Sequence, residues 1–348
     1  MRDAVASVRR PTRDDLARLH GSAWWPAVST VVLVGLIVGV FVLLRTGSGR
    51  TAESRAFAAT VEFHIWALAL AATVALWVVI AAVVGQAVRR VFPDRGRGWF
   101  VGAASCYGLL ILALMGGLSL AGGGPVNPLH AARVKVLFLV GLIMALGFPA
   151  VAGLWCTQAR LGQFARFLPL VPRVAVPASA TGGDVASEPT PTAAAASAEV
   201  DRAHCASQLV GLRRLTQRIL TAVSIGISAG VVSTGALRNA LLSSGAATPE
   251  TFPSYWVLAY GALFTGLFAI VFVPTFVEWR GVAARLVDEA FPIPPDGIPG
   301  DPWHEGRASM SKMLQLDVSP LRALGPLAGV LAPVATSLAA VFVSEVGG

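Results

Sequence analysis

Apolar residues fall into blocks divided by polar, arginine-bearing stretches. The pattern predicts seven membrane-spanning helices at 26–44, 64–84, 100–120, 136–155, 219–242, 255–277 and 324–343. Each is near the ~20 residues needed to cross the hydrocarbon core. Trp24 and Trp25 form an interfacial belt before the first block, behind a basic segment of mixed charge. No small-residue cleavage pattern follows that block, so it reads as an uncleaved helix rather than a secretory signal. Gly325, Pro326, Gly329 and Pro333 interrupt the last block, which leaves a re-entrant or partly unwound segment as its alternative.

The blocks divide the chain into six parts. They are an N-terminal segment (1–23), a four-helix region (24–157), a linker (158–217), a transmembrane hairpin (218–277), a helical cap (278–320) and the last helix with its tail (321–348). The middle of the linker, AVPASATGGDVASEPTPTAAAASAEV, has few large apolar residues and predicts disorder. After it, Leu209, Leu212, Leu215 and Ile219 share one side of a helix, with Arg213, Arg214 and Arg218 elsewhere. Two readings stay open: an amphipathic helix on the membrane surface, or a plain extension of the fifth span. The stretch EWRGVAARLVDEA continues the sixth span as a helix, with Val282, Leu286 and Ala290 on one face and Arg280, Arg285, Asp288 and Glu289 elsewhere; FPIPPDGIPGDP breaks it, and a short helix over 303–316 follows. Ser319 and Pro320 suit the start of the last helix.

Composition agrees with an all-α, polytopic membrane protein. Apolar residues make up 55 %, charged residues 13 %, and the mean hydropathy is +0.68. The net charge of +8 would suit nucleic acid, but the distribution of cations explains it better. With the N-terminus inside, 21 of the 27 Lys and Arg fall on inside segments. The positive-inside rule then predicts a cytoplasmic N-terminus and an extracytoplasmic C-terminus, and no nucleic-acid partner is expected. The last 90 residues resemble the tails of bacterial membrane proteins without an assigned activity, and nothing is carried over from them; the expected location is a bacterial cytoplasmic membrane. Cys106, Cys156 and Cys205 are scattered and form no CxxC, which argues against a disulfide framework or a structural zinc.

Candidate chemistry centres on 219–277, the hairpin that holds Arg238, a charge well inside a span. On a helix, Thr221, Ser224, Ser228, Arg238 and Asn239 fall within one arc. They are candidates for a polar lining. The plainer reading is helix packing, with Arg238 reaching to the nearer interface. Close helix contact is expected at Gly226 and Gly230, at Gly35 and Gly39, and at Gly325 and Gly329, within the bundle ahead of a homodimer face.

All 19 Asp and Glu lie outside the span cores, with Glu62 and Glu278 nearest. Proton-coupled carriers and intramembrane enzymes usually need an acid or histidine inside the bundle. A span serine here has no base to activate it. His64 and His130, with Glu62, are weak candidates for a metal or haem edge; their spacing makes no motif, so neither metal nor cofactor is expected. The expected function is a non-enzymatic membrane component responding to a partner or signal through its cytoplasmic segments. A channel or transporter for a small ion or solute is the alternative, and an intramembrane enzyme the third. The expected partners are the lipid bilayer and either a second copy or another membrane protein.

Overall fold

The computed structural model describes residues 13–46, 52–93, 97–121, 133–167, 193–294 and 299–316, with Ala335 and Leu338. Among the described residues every regular element is a helix: α1 (Arg13–Arg45), α2 (Ala52–Ala59), α3 (Val61–Val91), α4 (Arg97–Ala121), α5 (Arg133–Leu146), α6 (Phe148–Phe167), α7 (Ala193–Ser243), α8 (Tyr255–Ala290) and α9 (Asp301–Met313). Four stretches are long and apolar enough to cross a membrane: Val28–Arg45, Val61–Val91, Lys135–Arg166 and Ala203–Ser243. The expected spans 100–120 and 255–277 coincide with α4 and the first part of α8. The expected span 324–343, with Gly325 and Gly329, lies outside the described residues apart from Ala335 and Leu338.

Helix α7 has 51 residues, about 76 Å at 1.5 Å per residue, well beyond the ~30 Å hydrocarbon core. Of the two readings of 205–219, the structure shows the extension. Leu209, Leu212, Leu215 and Ile219 are buried in one apolar cluster with Val88, Leu161, Trp279 and Leu286 rather than laid on a membrane surface. The linker expectation also changes. Ala193–Val200, read as disordered, forms the first turns of α7, and 158–167 belong to α6. Alanine has the highest helix propensity, and extending an existing helix avoids the cost of a new nucleus. The rest of the expected disorder, 175–192, lies outside the described residues.

The fourth expected span is not one helix. Pro149 has no N–H and its ring crowds the preceding turn, so the chain breaks at Gly147 between α5 and α6. Two sets of hydrogen bonds hold the break. The Gly147 N–H donates to Ile143 O (3.2 Å) and Met144 O (2.9 Å), and the Tyr107 hydroxyl of α4 donates to the same Met144 carbonyl at 2.9 Å. A Cβ at Gly147 would lie 3.1 Å from both Met144 O and Tyr107 Oη, so the break suits glycine. A helix break at membrane depth needs such internal partners, because lipid supplies none.

Helices α3 and α7 run through both halves of the bundle and organise two stacked cores. One holds Phe57, Phe63, Trp66, Leu70, Val74, Leu139 and Leu241. The other joins the ends of α3 and α6 to α7, α8 and Leu314. Their contact is close because α7 offers small residues. A Cβ at Gly226 would come within 2.8 Å of the Trp77 ring, and Thr73 Oγ1 reaches Ala229 O across the interface at 3.3 Å. Outward positions such as Val31, Ile65, Leu109, Leu112 and Ile270 are large, apolar and exposed, as helices bathed in hydrocarbon require.

Candidate functional site

The residues of the polar arc of α7 differ in burial and in hydrogen bonding. Ser224 is buried and Ser228 half-buried, and neither hydroxyl has a hydrogen-bond partner among the described residues. Thr221 and Asn239 are exposed. Arg238 donates from Nε to Phe252 O at 2.9 Å, tying α7 to the connection before α8. That connection starts with a helix stop: Gly245 has φ 71°, Ala246 N–H donates to Leu241 O, and Gly245 N–H donates to Leu242 O. Thr248 and Thr251 close the next turn, and the Thr248 hydrogen bond holds the exposed Glu250 carboxyl below its usual range.

Among the packing glycines, Gly226 and Gly230 separate cleanly. Gly226 meets Trp77, whereas a Cβ at Gly230, Gly35 or Gly39 would find no described neighbour within 4 Å. The close approach that does accompany Gly226 is at Gly153 of α6, where a Cβ would lie 2.7 Å from Ile219 and 2.8 Å from Val88. His64 turns Nδ1 to Thr60 O (2.8 Å) and packs edge-on to Phe63; His130 lies outside the described residues. No group of three His, Cys, Asp or Glu able to hold a metal occurs among the described residues.

The densest polar construction is at the other end of the hairpin, where α9 docks. Helix α9 ends with Gln315 in the left-handed region (φ 55°), Leu316 N–H donating to Ser311 O and Gln315 N–H to Lys312 O. This is the glycine-type helix stop built on a glutamine. It leaves two carbonyls pointing out of the turn, and each meets an arginine. Arg213 of α7 donates from Nη1 to Leu314 O at 2.9 Å, and Arg280 of α8 donates from Nη2 to Leu316 O at 3.0 Å. Cations at a helix C-terminus also match the negative end of its dipole.

Trp279 seats the clamp. Its ring is buried with the Arg213 guanidinium 4.9 Å from the ring centroid, and its Nε1 donates to Leu209 O at 3.0 Å. Leu314 is fully buried in the shared core, so the residue that offers the carbonyl also plugs the bundle. Burial first, and Arg280 second, work against the Arg213 charge. Arg213 Nε is buried without a partner among the described residues, beside a cavity of about 10 Å³ lined by Thr216, Gln217, Thr275 and Phe276, which is room for about one water.

A second set of contacts holds the start of α9. Trp303 Nε1 donates to Pro292 O (2.8 Å), Arg307 pairs with Asp288 at 2.6 Å and lies over the Trp303 ring, and Gly306 abuts Phe291. The ion pair is exposed and contributes ~0–1 kcal/mol. A Cβ at Gly306 would fall 2.5 Å from the Phe291 ring.

The sequence pattern placed Arg213 and Arg280 merely off the apolar faces of their helices and passed over Trp279. An available signal was the adjacent Trp279 and Arg280 just beyond an apolar block, facing the arginines at the start of its antiparallel partner. No family model, curated protein or solved structure matches this chain.

Proposed function

We propose that the protein is a non-enzymatic, multi-pass component of the bacterial cytoplasmic membrane. In this reading it has seven spans, a cytoplasmic N-terminus and an extracytoplasmic C-terminus. It takes up a partner or signal at α9 and passes the change to the bundle. The observation that supports this reading is the Arg213–Arg280 clamp on the turn after α9. The two helices that carry the clamp continue through the apolar bundle, over 51 and 36 residues, the second with Pro274 inside it. Rigid helices transmit a displacement along their length, and a cap held by two arginines and a few side-chain contacts is released by modest competing energy.

Spin labels test the coupling. One label at Ser309→Cys reports release of α9, and a pair at Arg55→Cys and Glu250→Cys reports the opposite end of the bundle. Replacing both Arg213 and Arg280 with Gln should free the α9 label and shift the distance distribution of the pair. Release of α9 with an unaltered pair would refute the coupling. The same two cysteines test orientation. Glu250→Cys should react with an impermeant maleimide in intact cells and Ser309→Cys only after permeabilisation, and the reverse would overturn the topology.

A further inference from the structure

A cleft of about 720 Å³ opens between the end of α3, the start of α4 and the start of α6, lined by Arg89, Phe92, Pro93, Phe100, Val101, Ala104 and Phe148. Its size suits a sizeable ligand, and its walls are mostly apolar. Three phenylalanines, a proline, Val101 and Ala104 form them, together with one cation, Arg89. Arg89 and the neighbouring Arg90 are both exposed, and Arg89–Phe100 carries four arginines against Asp94. Neither arginine has an acidic partner among the described residues. The cleft is continuous with the exposed apolar face of α4 at Val101, Leu109 and Leu112.

We propose that this cleft binds one anionic phospholipid, its phosphate on Arg89 and an acyl chain along Phe92, Phe100, Phe148 and the face of α4. A soluble anion would make no use of the aromatic walls. A zwitterionic lipid would leave the local cationic excess unanswered. Basic pockets between spanning helices favour acidic headgroups for this reason. In the topology proposed above, the cleft lies in the cytoplasmic leaflet. The inference rests on the helices crossing a bilayer and not on the α9 clamp.

The test is native mass spectrometry of the delipidated full-length protein. It is titrated with phosphatidylglycerol or with phosphatidylcholine of identical acyl chains. Wild type should retain one phosphatidylglycerol at about fivefold to tenfold lower lipid than phosphatidylcholine. Arg89→Gln should abolish that preference, Arg89→Lys should keep it, and Arg218→Gln, at an exposed position on α7, should not alter it. Phe148→Ala should weaken retention of both lipids. Equal retention of the two lipids, a preference untouched by Arg89→Gln, or displacement of the lipid by glycerol phosphate at equal concentration would each overturn the proposal. Loss of the α9 coupling leaves this result unchanged, so the two readings fail separately.

Discussion

Arg213→Met removes the charge from the α9 clamp and keeps an apolar stem of similar length. The hydrogen bond to Leu314 O at 2.9 Å is charge-assisted and contributes about 1.5–3 kcal/mol. The stacking on Trp279 at 4.9 Å adds about 0.5–2 kcal/mol. Relief of a partly buried charge beside Arg280 works the other way. The net loss should be about 2 kcal/mol, a roughly 30-fold fall in the ratio of docked to undocked α9. Hydrogen exchange reads that ratio directly. A 13-residue helix detached from its core is marginal in water, so undocking exposes its amides. Protection across 301–316 should fall about 30-fold, while amides around Val74 in the other core keep theirs. Arg285→Met, an exposed arginine on the same end of α8, is the control. If Arg213→Met leaves 301–316 within about threefold of wild type, Arg213 does not hold α9 and the clamp reading fails.

Three further outcomes follow from the geometry. Gly226→Ala drives a Cβ to 2.8 Å from the buried Trp77 ring and should destabilise the protein by about 1–3 kcal/mol in detergent unfolding, whereas Gly230→Ala meets open space and should be neutral or stabilising by up to ~1 kcal/mol; equal effects at the two sites would refute the packing. Tyr107→Phe strips the hydroxyl that serves Met144 O at the α5–α6 break and should cost about 0.5–1.5 kcal/mol by the same measurement, with no loss pointing to another donor there. Arg238→Ala frees the connection at Phe252, yet proteoliposomes of this variant and of wild type should show the same ion flux; flux that depends on Arg238 would make the protein a channel or transporter instead.

The helical class and the positions of the apolar blocks were legible in the sequence alone. Backbone hydrogen bonds close within one turn, and a bilayer-length apolar run is a local property, so no knowledge of neighbours is required. The same logic predicted α9 and the Pro-rich break before it. What the tertiary structure decided was which of several similar residues matter. Gly226 and Gly230 are equivalent in pattern, but Trp77 of α3 stands opposite only one of them. Seven arginines lie between the fourth and fifth apolar blocks, and Arg213 reaches a carbonyl 101 residues away because the register of α7 against α8 puts Trp279 beneath it. Arg238 and Ser224 fall in one helical arc, yet one meets a connection and the other is buried with no hydrogen-bond partner among the described residues. Such pairings depend on the relative rotation and height of helices distant in the chain. Residue periodicity carries no information about either, and only packing sets them.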